Sequence, residues 1–382
     1  MAPTAFFGDA GGNWMMSPGL RRTLTVFVAA KTLAVTALLV GRHNHYNPNH
    51  AWNFHVYTDK DVGAWLAFIN WDAQHYLKIA LGGYPFPPDP TTAFYPMFPA
   101  LVALGLHLGM GPIVSGLLIV TLASALAFIL FTKLLPEEDK GSLWLFASFP
   151  TAFFLSVVYS EALFIAELLG LFWALRDPRR AGLALFCAIL LPLTRGQGMW
   201  LALPLALALV FPGPLSRRSL TGAVIGYALG VCAYLAVYKW IYGDPFLGVT
   251  AQRIFVFNNT IENIVDLPRF VAFMLAPSPH FFDLTNSGFD KAMIVVSFAA
   301  LAYGIRRSPD VFLGAAWACF ALVPALMGEG GSYGRHALLA WMCFALAAGP
   351  SLPAPVLMPL VAAGFLLQAH LAWQFGGNNW VG

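Results

Sequence analysis

The chain has 382 residues, of which 59% are hydrophobic and only 10% are charged. A soluble domain of average composition has about a quarter charged residues, so these charges are too few to cover a surface that faces water. The net charge of +3 is divided among short basic clusters, which excludes the continuous basic face of a nucleic-acid-binding protein. The composition therefore predicts an all-α polytopic membrane protein, with residues 1–382 forming a single transmembrane domain.

The apolar runs of the sequence predict its membrane spans, because about 20 apolar residues cross the hydrocarbon core of a bilayer. Six runs bounded by charge, Pro and Gly are long enough: 23–41, 112–132, 219–242, 287–305, 310–327 and 353–375. Two stretches, 142–175 and 181–212, are too long for one crossing, and each is predicted to form a hairpin of two short helices. The breaks are expected near 159–161 and 194–198, and a shorter run at 335–350 completes eleven predicted spans.

The basic clusters set the predicted orientation, because Lys and Arg concentrate in cytoplasmic loops. The clusters are Arg21 with Arg22, Lys133 with Lys140, Arg176 with Arg179 and Arg180, Arg217 with Arg218, and Arg306 with Arg307. If all are cytoplasmic, an even number of spans separates each cluster from the next. The N-terminus is then cytoplasmic, the C-terminus is outside, and 93–109 becomes a helix at the outer interface. A full crossing by 93–109 is the alternative, which makes twelve spans and breaks this parity.

Two long loops, 42–111 and 243–286, are predicted on the outside, and long ordered loops often carry function. In the first loop, apolar residues at helical spacing predict an interfacial amphipathic helix over 63–81. The same loop holds a loose group of polar residues whose spacing fits no standard metal site. This group consists of His43, His45, His50, His55, Asp59 and Asp61. We therefore predict a polar loop and no bound metal.

Asp72 lies within the predicted interfacial helix, close in sequence to Phe68, Trp71 and Tyr76. A carboxylate among aromatic residues at the membrane surface is partly desolvated, and this environment favours its use as a general base. The alternative is a charge on the helix surface at the level of the lipid headgroups. The residue pattern alone leaves both interpretations open.

Two charged residues lie at the breaks of the predicted hairpins. Arg195 is in the bend of 181–212, where a cation is costly in lipid and should face a partner or an anionic ligand. Glu161 lies near the outer end of 142–175, so the two side chains are able to meet. Their alternative role is that of a buried structural ion pair.

Two further arginines are predicted outside, against the usual bias of basic residues toward the cytoplasm. Arg335 follows a glycine-rich turn and opens a span, so a helix N-terminus and a guanidinium together favour an anion there. Arg253 lies in the loop 243–286. An anionic lipid phosphate accounts for both residues, and snorkelling toward lipid headgroups is the alternative.

Six stretches of the chain carry motifs in a recognisable order. Residues 71–84 read WDAQHYLKIALGGY, 93–99 read AFYPMFP, 149–164 read FPTAFFLSVVYSEALF, 193–198 read LTRGQG, 242–246 read YGDPF and 334–336 read GRH. This series resembles the PIG-V-like group, also called GPI mannosyltransferase 2, in the GT-C class of membrane glycosyltransferases. The chain departs from the group's pattern at Ala162, where Ser is common, and in its Asn- and His-rich loop 43–55.

The resemblance implies a GT-C fold and the transfer of a hexose, mannose in particular, from a polyprenyl- or dolichyl-phosphate donor. It implies a lipid-linked or glycolipid acceptor, a site on the lumenal or periplasmic side, membrane lipids as partners, and no metal or other cofactor. An aspartate of the first outside loop is the usual base in this class, and Asp72 lies at that position. The other implied site residues bind substrate: His75, Tyr76, Tyr95, Tyr159, Glu161, Arg195, Gln197, Arg253, Arg335 and His336.

Two other functions remain open at the level of sequence. A transporter or flippase of a lipid-linked sugar would use the same arginines, but it would place polar residues along the mid-membrane in two related halves. This sequence has no repeat of fixed period, and its polar residues cluster toward one interface. A non-catalytic subunit of a glycosylation complex is the third hypothesis, and such a protein would tolerate Asp72→Asn.

Overall fold

The fold is all-helical, as the composition predicts. The computed structural model of the chain describes residues 17–47, 62–139, 141–254, 260–283, 286–328 and 332–381. This described part contains α-helices and short 3₁₀ helices but no β-strand. Five of the residues named in the sequence predictions lie outside the described residues: Lys140, His50, His55, Asp59 and Asp61. The side chain of Arg253 lies outside them as well.

The α-helices of the described part are numbered here in chain order. They are α1 (Pro18–His45), α2 (Asp72–Gly82), α3 (Met97–His107), α4 (Pro112–Leu134), α5 (Ser142–Ala147), α6 (Glu161–Ala174), α7 (Ala181–Thr194), α8 (Ala202–Val210), α9 (Arg217–Tyr242), α10 (Leu247–Thr250), α11 (Leu267–Leu275), α12 (Gly288–Gly304), α13 (Val311–Met327), α14 (Tyr333–Ala347) and α15 (Ala354–Gly376). The 3₁₀ helices that matter below are Gly63–Phe68, Ala152–Ser156, Gly196–Leu201 and Ile261–Val265.

Five helices of the described part are long and apolar enough to cross a membrane: α1, α4, α9, α12 with its 3₁₀ extension to Arg307, and α15. They correspond to the predicted runs 23–41, 112–132, 219–242, 287–305 and 353–375. The runs 310–327 and 335–350 form α13 and α14, which have 17 and 15 residues. These helices identify the chain as a membrane-embedded helical protein.

The two predicted hairpins break where expected, but their arms are less regular than two plain helices. In 142–175, α5 ends at Ala147 because the next turn contains Pro150, and the residue before a proline disfavours the α conformation. A 3₁₀ helix, Ala152–Ser156, then leads to α6. In 181–212, α7 ends at Thr194, and the backbone of Arg195 is extended before the 3₁₀ helix Gly196–Leu201.

Helix α9 packs closely against α7, because a row of glycines on α9 faces the α7 backbone. A Cβ atom at Gly222, Gly226 or Gly230 would lie between 2.2 and 2.7 Å from a carbonyl oxygen of α7. Small residues at this four-residue spacing allow two helix backbones to approach closely within a membrane. The approach fixes α7, and therefore the position of Arg195 at its end.

The predicted continuous helix over 63–81 is wrong. The 3₁₀ helix Gly63–Phe68 ends before Trp71, whose φ is 57°, and α2 begins at Asp72. Asn70 in this break donates a side-chain hydrogen bond to the carbonyl of Phe375 over 2.7 Å. The turn is thus held by the distant helix α15, and it is buried rather than spread on a lipid surface.

The segment 93–109 contains α3, an eleven-residue helix. At 1.5 Å per residue such a helix covers about 16 Å, roughly half of a hydrocarbon core of about 30 Å. Ser115 of α4 donates a hydrogen bond of 3.0 Å to the carbonyl of Val102, which joins the two helices. The helix α3 alone is therefore shorter than a full crossing, and whether 93–109 crosses stays a prediction.

The basic clusters gather at one end of the helix bundle. The guanidinium of Arg22 donates to the carbonyl of Asp139, just beyond α4. Arg176, just beyond α6, donates over 3.4 Å to the carbonyl of Leu134 and lies 4.0 Å from the carboxylate of Asp310. Asp310 in turn caps α13. The positive loops of the chain are therefore neighbours in space.

Candidate functional site

A cavity of about 610 Å³ lies where α7 and α13 end, away from the basic clusters. Thr194 at the end of α7 and Met327 at the end of α13 line it. Seven of the eleven predicted site residues also line it: Asp72, Tyr76, Tyr95, Arg195, Gln197, Arg335 and His336. The fold thus brings together side chains that are separated by more than 260 residues in the sequence.

Four charged side chains form a network at the polar end of this cavity. Arg335 Nη1 lies 2.5 Å from Asp72 Oδ2, and Arg335 Nε lies 3.2 Å from Glu161 Oε1. Arg195 Nη1 lies 2.8 Å from the same Glu161 oxygen. Two carboxylates therefore face two guanidiniums, and their formal charges balance. Glu161 joins the two arginines, as the sequence suggested for Glu161 and Arg195.

The two carboxylates differ in burial. The Glu161 side chain is 4% exposed and does not line the cavity, whereas the Asp72 side chain is 20% exposed and does. A buried charge needs a partner close by, because its desolvation cost is several kcal/mol. Glu161 therefore acts as the fixed counter-ion of both arginines, and Asp72 is the carboxylate that faces the cavity space.

A chain of polar contacts extends the network from Arg195. Its Nε donates to Gln197 Oε1 over 3.1 Å, and the Gln197 amide lies 2.5 Å from His336 Nδ1. Arg195 Nη1 donates over 2.9 Å to Ser160 Oγ, which lies 2.8 Å from the Tyr76 hydroxyl. Ser160 was not among the predicted site residues. Its place between Tyr159 and Glu161, both selected from the same motif, is the signal that could have identified it.

Tyr159 positions Asp72 without lining the cavity. Its hydroxyl donates to the carbonyl of Asn70 over 3.2 Å and accepts the backbone N–H of Asp72 over 3.1 Å. These two bonds brace the turn at Trp71, where the backbone has positive φ. Tyr159 is 1% exposed, so its hydroxyl is committed to the protein itself.

His75 also lies behind the cavity wall rather than in it. Its Nδ1 is 2.9 Å from the hydroxyl of Thr91, and its ring stacks on Phe94 at 4.4 Å between centroids. Burial lowers the pKa of His75 to about 4, so the imidazole is neutral near pH 7. Phe94 lines the cavity, and His75 therefore contributes to the site by holding this ring.

Lys78 and Asp89 form an ion pair of 2.6 Å next to this group. Burial alone would raise the pKa of Asp89, but hydrogen bonds from Lys78 and Thr91 outweigh it and lower the pKa. The Asp89 carboxylate also accepts the backbone N–H of Thr91 over 2.7 Å. The pair thus fixes the 3₁₀ turn that carries Thr91, the partner of His75.

Tyr95 forms an aromatic side of the cavity. Its ring stacks on Tyr234 of α9 at 4.9 Å between centroids. A Cβ atom at Gly196 would lie 3.0 Å from the Tyr95 hydroxyl, so the glycine leaves room for this ring beside Arg195. Rigid aromatic faces next to hydrogen-bonding groups are suitable surfaces for a polar ring such as a sugar.

Asp290, which was not among the predicted site residues, positions Arg335. The fully buried Asp290 accepts the backbone N–H of Gly334 over 2.7 Å, while Thr151 donates over 2.8 Å to the Gly334 carbonyl. Gly334 is thus fixed from both sides, immediately before Arg335. A carboxylate within the apolar run 287–305 was a signal, because buried charges in spans are costly and usually have a role.

The arrangement offers the Asp72 carboxylate to accept a proton, 2.5 Å from the guanidinium of Arg335, and a second guanidinium, that of Arg195, joined to Arg335 through Glu161. Within the described ranges, no three His, Cys, Asp or Glu side chains lie close enough together to hold a metal ion. The remaining cavity wall is largely apolar, with Trp200, Leu203, Ile264 and Val323 among its residues. Comparison of the chain with protein-family models and with curated proteins finds no match.

Proposed function

We propose that this chain is a glycosyltransferase that moves a hexose, mannose in particular, from a polyprenyl- or dolichyl-phosphate donor to a lipid-linked or glycolipid acceptor. The observation that carries the proposal is Asp72, a cavity-facing carboxylate whose nearest charged partner is the guanidinium of Arg335 at 2.5 Å. Sugar transfer from a phosphate ester needs a base that takes the acceptor proton and a cation that stabilises the leaving phosphate. A carboxylate and a guanidinium at this distance are able to supply both.

The proposed reaction inverts the sugar at its anomeric carbon. The acceptor hydroxyl oxygen attacks this carbon while Asp72 takes the hydroxyl proton. The bond between the anomeric carbon and the phosphate oxygen breaks, and its electron pair remains on the phosphate. The polyprenyl phosphate thereby gains negative charge, which Arg335 and Arg195 stabilise through charge-assisted hydrogen bonds.

The shape and lining of the cavity support a lipid-linked donor. A volume of about 610 Å³ is within the range of about 300 to 1,000 Å³ that ligand pockets occupy. The charged network lies beside the apolar side chains of Trp200, Leu203 and Val323. A phosphate that carries a hydrocarbon chain would place its head on the arginines and its chain along these residues.

The proposal includes a GT-C fold of eleven spans, with the cavity on the lumenal or periplasmic side. The gathering of basic clusters at the opposite end of α6, α7 and α13 supports this side, because positive loops remain in the cytoplasm. The six remaining crossings would consist of the shorter apolar helices α5, α6, α7, α8, α13 and α14 with the irregular segments next to them. Irregular backbone at membrane depth is tolerated where it lines a cavity.

A donor comparison tests this function. The full chain, purified into nanodiscs, is offered polyprenyl-phosphate mannose labelled in the sugar, together with a mixed lipid extract as the source of acceptor. Parallel reactions contain labelled GDP-mannose or polyprenyl-phosphate glucose. We expect labelled glycolipid from the lipid-phosphate mannose donor and little from the nucleotide sugar. Folded protein that transfers no hexose from any lipid-phosphate donor would contradict the proposal and favour a transporter or an assembly subunit.

A further inference from the structure

We propose that Asp72 competes with the donor's phosphate for Arg335, so that phosphate binding displaces the carboxylate and releases it as a free base. This inference rests on the proposed function and adds an order of events to it, in which the donor binds before the acceptor is deprotonated. The ligand class is a phosphate ester attached to a hydrocarbon chain. Its phosphate is expected to take the position on the Arg335 guanidinium that the Asp72 carboxylate occupies in the ligand-free cavity.

The charge balance of the site leads to this inference. Asp72 and Glu161 together neutralise Arg195 and Arg335. A phosphate that approaches this balanced network meets a guanidinium already paired with a carboxylate, so it gains a full charge pairing when one carboxylate gives up its cation. We therefore expect one of the two carboxylates to separate from its guanidinium when the phosphate binds.

Asp72 is the carboxylate that can move. Its side chain is 20% exposed and borders the cavity, and it pairs with Arg335 at 2.5 Å. Glu161, in contrast, is 4% exposed and bridges both guanidiniums at 2.8 and 3.2 Å. Displacing Glu161 would break two ion pairs at once and leave a charge buried away from the cavity. Displacing Asp72 breaks one pair and turns its carboxylate toward space that an acceptor hydroxyl can enter.

The displacement has a chemical consequence. A carboxylate paired with a guanidinium accepts a proton less readily than a free one, because the neighbouring positive charge favours the ionised form. The base thus becomes effective when the phosphate is in place on Arg335. If the acceptor enters first, the Asp72 carboxylate is still paired with Arg335 and is a poor base. Donor binding therefore precedes deprotonation of the acceptor.

Binding of farnesyl phosphate tests the competition without any sugar transfer. Its dissociation constant is measured on the full chain in detergent from the quenching of tryptophan fluorescence. Asp72→Asn keeps the shape of the side chain but removes its charge, and we expect it to tighten binding about tenfold, or about 1.4 kcal/mol. Arg335→Gln should weaken binding at least tenfold. Farnesol should bind equally to all variants, and inorganic phosphate should follow the same order as farnesyl phosphate with lower affinity.

Asp266→Asn is the matched control. Asp266 is an exposed cap of α11 outside the cavity lining, so the same substitution changes the net charge by the same amount. We expect less than a twofold effect from this variant, because an exposed charge is screened by salt. Equal tightening by Asp72→Asn and Asp266→Asn would overturn the competition in favour of a general charge effect. Unchanged or weaker binding by a folded Asp72→Asn variant would also overturn it.

The two proposals fail separately. Tighter farnesyl phosphate binding by Asp72→Asn supports the competition even if the parent chain transfers no sugar, and the transferase proposal alone would then be contradicted. Sugar transfer by the parent chain together with unchanged binding by Asp72→Asn would leave the transferase and overturn the competition.

Discussion

At the residue scale, the site depends on a few side chains that hold one another in place. Glu161 has charged partners in two distant segments of the chain, and Arg195 reaches Ser160 and Gln197 as well as Glu161. Such a network is stable only when every member is satisfied, because unpaired polar groups are costly in a low dielectric. Removing one member should therefore affect folding as well as binding.

Replacing Arg195 by Met should destabilise the chain by about 3 to 5 kcal/mol, because it leaves the buried Glu161 with a single charged partner. The double variant Arg195→Met with Glu161→Gln should recover part of this loss, because the uncompensated charge is gone. Denaturant unfolding in detergent measures both free energies. Equal destabilisation by the single and double variants would show that Glu161 does not depend on Arg195.

The contribution of His75 to the stability of the chain should fall on acidification. Burial lowers the pKa of His75 to about 4 in the folded chain, against about 6.5 when unfolded. At this side chain the unfolded state therefore binds more protons between these values, so the contribution is complete above pH 6.5 and declines as the pH falls toward 4. The loss should reach on the order of 3 kcal/mol for this group.

Thermal unfolding at several pH values, compared between the parent chain and His75→Gln, measures this contribution. The stability of the parent chain relative to the variant should decrease as the pH falls from 6.5 to 4. Asp89 does not contribute in this range, because its lowered pKa affects stability only below its ordinary value of 3.8. Identical profiles for parent and variant would contradict the role of a neutral, buried His75.

At the scale of elements, packing between distant helices decides where the site residues lie. Apolar runs predict helices well, because a span must bury its backbone hydrogen bonds within itself. The sequence does not reveal the break at Trp71, because Asn70 is bonded to Phe375 at the other end of the chain. Asp290 was missed for a similar reason, since its partner Gly334 is 44 residues away. Local patterns predict elements, and long-range hydrogen bonds place the side chains of the site.

The contact between α7 and α9 gives the sharpest test at this scale. Gly226→Ala would place a Cβ atom 2.2 Å from the carbonyl oxygen of Leu185, so the two helices would have to separate. We expect a loss of about 1 to 3 kcal/mol, as overpacking usually causes. Gly182→Ala in α7, which meets no atom within 4 Å, is the control and should be neutral or slightly stabilising. Equal thermal stability of the two variants would contradict this close approach.

At the scale of the whole molecule, charge separates the two ends of the bundle. The loops that carry the basic clusters lie next to one another at one end, and a neutral network of four charges lies at the cavity. The predicted orientation follows from these clusters. An even number of spans between successive clusters places them on the same side of the membrane, so their proximity in the structure could be anticipated from the sequence. The sequence could also indicate Asp72, Glu161, Arg195 and Arg335 as site residues. It could not show that Arg335 bridges the two carboxylates, because this depends on how four segments pack.

The measurement that tests the account most directly is the rate of transfer of labelled mannose from polyprenyl-phosphate mannose by Asp72→Asn. Loss of a general base typically costs a factor of 10² to 10⁴, and we expect a loss of that size. Asp266→Asn is the control, because Asp266 is an exposed cap of α11 and Asn is an equally good cap. Asp266→Asn should retain the parent rate. Transfer at the parent rate by a folded Asp72→Asn variant would contradict the assignment of Asp72 as the base.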